Sequence, residues 1–515
     1  YRYPGWPLSF LWFVWCPSRC WYLPFYFQKL WPIIFLSLIP FLYYLMKNKL
    51  SKSNAFLYGF IYGFIFYLFA VHWLWYLYPL TNFGFNKLSS FFIILGCWLF
   101  ISIYEGALFS LISFLLNILN LGAIQKAFFI SSLWTFLEWF QGLGSLGFPW
   151  FTLSLPLTNC PFLIQIASVF GSLFISFFIV FINCIFSIII LNKDNRKRSL
   201  TILCISVLFI TIGNYICLNI GNDKYTTIDY SIIQGNVSSY NKIKEKFVKD
   251  NLDTYISLTN ESFKDNPNIQ LVIWPETAVP IYLNKNEDVY NLYKEIAIKN
   301  KSNLLVGAFT FSDFKKYNAL YCFNPDGNVS GIYRKGHLVP FGEFIPFSNM
   351  IFKTFPKLKE LKAFSDNLQG DENTPTIKAS FGTIGPFICF ESVFSDIPKS
   401  EIKKGAQIFC VATNDSWFKE SKQLEQHLSH SVLRAIELNR YILISANTGI
   451  SAAIDNKGTI LNTVEKSTSG YITGTANLID NRTLYSYYGN IPILTFCIFI
   501  ISFQFLKSKY LYKKC

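Results

Sequence analysis

The chain has 515 residues, of which 52% are hydrophobic, 19% aromatic and only 15% charged. A typical soluble domain carries about 25% charged residues, so this composition excludes an ordinary soluble protein and also excludes disorder. The twelve cysteines are scattered without a C-x-x-C pair, which argues against a disulfide framework and against a zinc ribbon.

The net charge of +14 would suggest a nucleic-acid-binding protein if the basic residues formed one patch. They do not. Residues 1–221 hold twelve Lys and Arg but three acids, four lysines follow Leu506, and the segment between them is almost balanced. A basic excess that flanks apolar segments is typical of a membrane protein.

Apolar runs long enough to be membrane helices crowd the first 220 residues, and one more lies near the C-terminus. Crossing about 30 Å of hydrocarbon takes about 20 such residues. We therefore predict a membrane domain of about seven helices over 1–221 and a last helix with a basic tail over 489–515. The runs are 5–22, 31–46, 55–77, 89–116, 127–141, 162–191, 199–219 and 491–506. Four early prolines and the missing initiator Met lead us to expect that the first 30 or so residues are a truncated or displaced start.

The charges of the loops predict the orientation. Lysine and arginine cluster after the second, fourth, sixth and eighth runs, whereas the loops 78–88 and 142–161 contain one Lys between them. Because basic loops face the cytoplasm, both termini are expected there. Residues 222–488 are then expected in the periplasm, and the protein in the inner membrane of a two-membrane bacterium.

Glu138 lies inside the apolar run 127–141. An acid at such a place is costly, and it is usually paired or functional. One interpretation is a substrate-binding carboxylate. The other is a carboxylate near the interface that is hydrogen-bonded to a neighbouring helix.

From Asn222 the sequence changes to short β-rich runs that alternate with polar helical segments, which predicts one α/β domain over 222–488. Nucleotide and zincin motifs are missing, and no cofactor or metal is expected. The predicted helices are 242–265, 285–300 and 421–440. The predicted strands are 228–234, 271–274, 304–309, 319–323, 383–390, 408–413, 441–446 and 451–454.

Three of these strands or hairpins end in a reactive side chain: Glu276 in W-P-E, Lys335 in R-K-G-H-L-V-P-F-G-E, and Cys389 in C-F-E-S. Taken singly, Cys389 would be a core residue, since free cysteine is often buried. Lys335 could be a solvated turn lysine and Glu276 a helix N-cap.

Together the three residues form a chemically coherent set. Only a thiolate attacks well, and Glu276 could take the proton of the Cys389 thiol. Lys335 would favour the thiolate and then the oxyanion of a tetrahedral intermediate. The backbone N–H of Phe390 is a second candidate donor to that oxyanion.

The order and spacing of these residues resemble the Glu–Lys–Cys set of the carbon–nitrogen hydrolase (nitrilase) superfamily. With the multi-span block, the ten-residue lysine motif, Thr413–Phe418 and the segment 434–449, the chain from about Trp31 onward resembles the bacterial apolipoprotein N-acyltransferase family. The resemblance implies a nitrilase-like αββα sandwich. It also implies transfer of a fatty acyl chain from a membrane phospholipid, through a cysteine thioester, to the N-terminal amine of a diacylglyceryl-cysteine apolipoprotein.

The resemblance extends to supporting residues. Glu343 corresponds to an additional glutamate that the family needs, and Glu391 to the acid two places after the nucleophile, where a buried acid that orders the turn is an equally good interpretation. Trp417, with Phe418, is expected to be exposed on the loop Asn414–Gln426, which would be a lid or a lipid-contacting arm that binds substrate; the alternative is a loop with one packed Trp. The chain departs from the family at Phe390, often Tyr, and at Ile243, usually Trp.

Some alternatives stay open at this point. A membrane-tethered amidase that uses water as the acceptor would need the same three residues, and a non-enzymatic scaffold would need none of them. His427 and His430 form an H-x-x-H that lacks further ligands, so an exposed or capping pair is favoured over a metal site. Nothing implies an oligomer, and a monomer is expected.

Overall fold

The computed structural model describes residues 21–81, 84–194, 196–220, 225–237, 248–354, 368–371, 373 and 375–512. The predicted span 5–22 lies almost wholly outside them, as does Ile243. Two regions are distinct along the chain: helices up to residue 219 and again at the C-terminus, and a two-sheet domain between them.

The membrane region is helical. Among the described residues, six helices are long and apolar enough to cross a membrane, including a first one at Gln28–Lys47. The run 127–141 forms the 19-residue helix α4, which does not belong to these six, and the total of eight spans stays a prediction. The helices are α1 Ile39–Lys47, α2 Lys52–Ala70, α3 Lys87–Ile118, α4 Ala123–Gln141, the one-turn α5 Ala167–Phe170, α6 Ser172–Leu191 and α7 Arg196–Asn219.

Glycines allow α2 and α3 to pack closely. A Cβ added to Gly59 would lie 2.9 Å from Ser110 Cα, and one added to Gly63 would lie 2.8 Å from Phe109 Cβ. Small residues are what membrane helices use where their backbones approach each other.

The domain after residue 225 is built on two six-stranded sheets. The first has the order β12-β1-β2-β3-β4-β5 and the second β11-β10-β9-β8-β7-β6. The strands are β1 Thr226–Gln234, β2 Leu271–Ile273, β3 Asn303–Ser312, β4 Lys315–Phe323, β5 Val329–Arg334, β6 Ile377–Ala379, β7 Gly382–Ile388, β8 Ile408–Thr413, β9 Ile442–Ala446, β10 Ala452–Ile454, β11 Ile460–Thr463 and β12 Gly470–Leu478.

The helices of this part of the chain are α8 Val248–Asp265, α9 Glu287–Asn300, α10 Ser348–Thr354, α11 Asp396–Lys403, α12 Gln423–Leu438, α13 Leu484–Tyr488 and the apolar C-terminal helix α14 Ile491–Tyr512. α8 and α9 cover the outer face of the first sheet, and α11 and α12 cover that of the second. One apolar cluster lies between the sheets, and a second lies between the first sheet and α8 and α9. The αββα sandwich implied by the resemblance is therefore confirmed.

The second sheet is seated on the membrane helices. Its outer face, α12 and the membrane helices share one continuous apolar cluster. Polar contacts join the same regions: Trp150 Nε1 donates to Gln426 Oε1 at 2.8 Å, and Ser172 N donates to Glu437 Oε1 at 2.7 Å. The α/β domain is thus held in one position over the membrane helices.

Candidate active site

Cys389 stands at a sharp turn between β7 and a 3-10 helix, Cys389–Val393. Its φ is +54°, a left-handed conformation that costs a residue with a Cβ about 1–3 kcal/mol. The residues around it are buried, but Cys389 itself is only partly buried. A strained strand-to-helix turn that presents one side chain is the geometry of a nucleophile elbow.

Lys335 follows β5 and is only 1% exposed. Its Nζ lies 2.8 Å from Glu343 Oε2 and 3.7 Å from Glu276 Oε1. Asn318, on β4, joins the two carboxylates, because its Nδ2 donates to Glu276 Oε1 at 2.7 Å and to Glu343 Oε1 at 3.0 Å. The structure therefore brings together residues that lie far apart in the sequence, and it adds Asn318, which the sequence analysis missed.

Strand direction explains this convergence. β1, β2 and β3 are mutually parallel, and β5 runs in the same direction because it follows two antiparallel pairings. Glu276 and Lys335 thus follow the carboxyl ends of strands at one edge of the first sheet. Cys389 follows the carboxyl end of β7 in the second sheet. The charges of Glu276 and Lys335 both act on the pKa of its thiol.

The electrostatics of the cluster set the resting protonation states. Burial lowers the pKa of Lys335, but the carboxylates of Glu343 and Glu276 outweigh burial, so this pKa is raised and the ammonium persists. Burial and the Glu276 carboxylate raise the pKa of the Cys389 thiol, while Lys335 opposes them. The thiol therefore rests protonated, with the Glu276 carboxylate and the Lys335 ammonium acting on it from opposite directions.

Glu391 is fully buried and accepts hydrogen bonds from both sides of the elbow. Its Oε2 accepts from Ile388 N at 2.8 Å, and its Oε1 accepts from Gly336 N at 2.8 Å and His337 N at 3.1 Å. The Tyr333 hydroxyl lies 3.0 Å from both oxygens. Burial raises the pKa of Glu391 to about 7 against the opposing effect of Lys335 and these N–H groups. This geometry supports the interpretation of Glu391 as the acid that orders the turn.

His427 and His430 are buried, so the expectation of an exposed or capping pair is wrong. They lie on the face of α12 that turns inward, which the H-x-x-H spacing alone does not reveal. His427 Nδ1 lies 3.1 Å from Asp415 Oδ1, and its Nε2 lies 3.1 Å from the carbonyl oxygen of Cys389. His430 Nε2 lies 3.2 Å from Trp150 O. Within the described ranges, no group of three His, Cys, Asp or Glu side chains could hold a metal ion.

A cleft of about 540 Å³ opens between the membrane helices and the α/β domain. One wall is apolar and includes Leu143, Leu338 and Phe394, and polar side chains such as Arg434 and Glu138 complete the lining. The cleft also borders the loop that follows Lys335 and the 3-10 helix that begins at Cys389. Its size and its mixed lining suit part of an amphipathic molecule such as a lipid.

Glu138 is only 3% exposed and ties α4 to the following loop. Its Oε1 accepts from Trp134 Nε1 and from Leu153 N, both at 3.0 Å. These bonds support the interpretation of a hydrogen-bonded structural carboxylate. Because Glu138 also lines the cleft, a role in substrate binding stays a prediction.

Trp417 and Phe418 are partly buried, so the expectation that both are exposed is wrong. They lie in a 3-10 helix, Ser416–Phe418, that packs against the membrane region. The ring of Phe418 meets that of Trp73 edge-on, with centroids 5.0 Å apart. An apolar surface supplied by another part of the chain covers this loop, and local sequence cannot show such a surface.

Two family models match this chain. The model described as Carbon-nitrogen hydrolase matches residues 232–483, and that of the Apolipoprotein N-acyltransferase N-terminal domain matches residues 18–185. Together the two matches cover both the membrane region and the α/β domain. The chain belongs to the apolipoprotein N-acyltransferase family.

Relatives of this family align along most of the chain. The apolipoprotein N-acyltransferase of Haemophilus influenzae is 26% identical over 90% of this chain and 88% of its own. That of Rickettsia prowazekii is 26% identical over 93% and 95%. Among solved structures, the carbon-nitrogen hydrolase of Helicobacter pylori G27 is similar, with 17% identity, 49% of this chain and 90% of that chain covered, and a TM-score of 0.39. The predicted family and the predicted class of enzyme, an acyltransferase associated with a membrane, are confirmed.

Proposed function

We propose that this acyltransferase moves a fatty acyl chain from a membrane phospholipid to the N-terminal amine of a diacylglyceryl-cysteine apolipoprotein. The observation that carries the proposal is the strained Cys389 elbow beside the Glu276–Lys335 pair, in a domain seated on membrane helices. The cleft beside the elbow supports a lipid substrate.

In the first half-reaction the Cys389 thiol gives its proton to Glu276 as the sulfur attacks the ester carbonyl of the phospholipid. Lys335 and the backbone N–H of Phe390 stabilise the oxyanion that forms on the carbonyl oxygen. The intermediate collapses, the C–O bond breaks, and the leaving lysophospholipid alkoxide takes the proton back from Glu276. The acyl chain is now a thioester on Cys389.

The second half-reaction releases the acyl chain to the amine. The amine nitrogen attacks the thioester carbonyl and loses a proton to Glu276. The C–S bond then breaks, the proton returns to the sulfur, and an amide is formed. The scheme is ping-pong, because the lysophospholipid leaves before the apolipoprotein is acylated.

The site is proposed to lie on the periplasmic face of the inner membrane, in a monomer. The basic loops of the membrane region support this orientation, because basic loops face the cytoplasm and the α/β domain follows the seventh predicted span. Both substrates carry acyl chains anchored in that membrane.

The test is to trap the thioester. Incubated with labelled phospholipid and no amine, the purified protein should acquire a label that hydroxylamine removes and that a lipopeptide amine accepts. Cys389→Ala should abolish the label, and Glu276→Gln should slow its formation at least about a hundredfold, as expected for loss of a general base. Cys160→Ala, which changes a partly buried thiol in a loop of the membrane region, is the matched control and should keep the label.

Two outcomes would overturn the proposal. Label that persists in Cys389→Ala would place the acyl chain elsewhere. A thioester that water discharges but an amine does not would identify a membrane-tethered hydrolase.

A further inference from the structure

The nucleophile elbow rests on a buried pair, His427 and Asp415, that the catalytic scheme does not use. His427 is 5% and Asp415 3% exposed. Nδ1 of the imidazole lies 3.1 and 3.2 Å from the two carboxylate oxygens of Asp415, and Nε2 lies 3.1 Å from the carbonyl oxygen of Cys389.

Both ring nitrogens of His427 face acceptors. A carboxylate and a carbonyl oxygen only accept hydrogen bonds, so the doubly protonated imidazolium, which donates from both nitrogens, satisfies both contacts at once. The nearby Ser392 hydroxyl is 3.0 Å from Nε2, but its own hydrogen is donated to the Cys389 carbonyl, also at 3.0 Å. The Asp415 carboxylate raises the pKa of His427 against the effect of burial, in agreement with this assignment.

The pair also reaches the reactive sulfur through Thr413. Thr413 Oγ1 donates to Asp415 Oδ2 at 3.1 Å, and the Thr413 side chain lowers the pKa of the Cys389 thiol. One hydroxyl hydrogen cannot point at Asp415 and at the sulfur at the same time. When the thiolate forms, this hydrogen can turn from Asp415 to the sulfur. The cost is low if a cation, here the His427 imidazolium, still balances the charge of Asp415.

We propose that His427 and Asp415 act as an ion pair that positions and tunes the nucleophile. His427 holds the Cys389 carbonyl in its strained conformation and cancels the charge of Asp415, so the Thr413 hydroxyl is free to turn to the thiolate. Both are positioning residues, because they act through the Cys389 carbonyl and the Thr413 hydroxyl. The inference concerns the site of the proposed function and rests on it.

Charged groups reach this region from several elements. The described groups that act on Cys389 are Glu276 after β2, Lys335 after β5 and Asp415 after β8. Those that act on His427 are Asp415 and Glu276. If His427 loses its charge, Asp415 becomes a buried, uncompensated anion near the sulfur, and it opposes formation of the thiolate.

The experiment measures the alkylation of Cys389 by iodoacetamide as a function of pH, in the full-length protein in detergent. His427→Gln keeps an N–H for the Cys389 carbonyl but removes the charge. We expect the pH midpoint of alkylation to rise by about one unit or more, the usual effect of an unpaired charge within about 4–6 Å. In the double variant His427→Gln/Asp415→Asn, which contains no uncompensated anion, the midpoint should return toward that of the parent.

His430→Gln is the matched control, because it changes the other buried histidine of α12, which contacts Trp150 and not the elbow. Its alkylation midpoint should equal that of the parent. If His427→Gln does not fold, the Asp415→Asn variant tests the inference by itself. Because this substitution removes the anion near the sulfur, its alkylation midpoint must not rise.

The result separates this inference from the proposed function. A midpoint unchanged in His427→Gln, a double variant displaced as far as the single one, or a raised midpoint in Asp415→Asn would overturn the inference. If the two residues had a purely structural role, the midpoint of the double variant would be displaced at least as far as that of the single one. Two substitutions would disturb the structure at least as much as one. Alkylation needs no lipid, so it gives its answer even if acyl transfer is not observed.

Discussion

At the scale of single residues, the cluster at Lys335 holds two carboxylates around one ammonium. Glu343 is its closer partner, and Asn318 binds both acids, so the pair Glu276–Lys335 is one part of a four-residue network. This geometry gives Glu343 a physical role. We expect it to neutralise and orient Lys335 and to leave Glu276 free to exchange a proton with Cys389.

Replacing Glu343 by Gln should lower the rate of Cys389 acylation about tenfold or more. The two oxygens of Glu343 accept from three donors, Asn318 Nδ2, Val339 N and Lys335 Nζ. An amide has one oxygen, so its NH₂ group must face a donor, and the loss of at least about 1.4 kcal/mol is tenfold in rate. The measurement is single-turnover formation of the thioester.

The control for Glu343→Gln is Asp371→Asn. Asp371 pairs with Arg334 at 3.4 Å, and both side chains are about a quarter exposed. A solvent-exposed pair contributes about 0–1 kcal/mol, so this variant should acylate within about fivefold of the parent. Equal rates in the two variants would remove the assigned role of Glu343.

At the scale of elements, the turn that carries Glu276 depends on a glycine in the neighbouring strand. A Cβ on Gly307 of β3 would lie 2.5 Å from Pro275 O and 2.7 Å from Glu276 Cα. The backbone of the turn also donates to this strand, since Ala278 N donates to Gly307 O at 3.0 Å. Absence of a side chain at 307 is what lets the Glu276 turn lie against β3.

Gly307→Ala should therefore displace Glu276 without removing any reactive group. We expect acylation to fall by about a hundredfold, which is the cost of misplacing a catalytic group by about 1 Å. Gly470→Ala is the control, because a Cβ there would meet Val464 at an ordinary 3.4 Å. Acylation by Gly307→Ala at the parent rate would show that the turn tolerates the methyl group.

At the scale of the whole molecule, the continuous apolar cluster between the second sheet and the membrane helices fixes where the active site lies. The elbow and the cleft face the membrane region, and the loop with Trp417 and Phe418 packs on it. An acyl donor would then need to travel only from the bilayer into the cleft, without crossing open water.

The orientation of this assembly can be tested with an impermeant maleimide in cells whose outer membrane is permeabilised. Because the α/β domain is proposed to be periplasmic, Lys264→Cys on α8 should be labelled above the level of the parent. Lys193→Cys, in the basic loop between α6 and α7, should be labelled only after the inner membrane is disrupted. The opposite pattern would invert the topology.

The sequence alone indicated the membrane character and the α/β domain, and it predicted the three reactive residues. These properties follow from local rules: apolar runs of about 20 residues, alternation of short strands with helices, and polar residues where strands end. The eight predicted strands are all present, as β1–β4 and β7–β10.

Only the tertiary structure decided which side chains meet. Asn318 lies mid-strand, and its place between Glu276 and Glu343 depends on the register of β4 against β3 and β5. His427 is buried because α12 packs between the second sheet and the membrane helices, and Phe418 because Trp73 covers it. Such contacts join residues up to several hundred positions apart, and local periodicity carries no information about them. The reactive residue types at the ends of the strands can therefore be recognised from the sequence. How these side chains are positioned depends on the packing of the two regions of the chain.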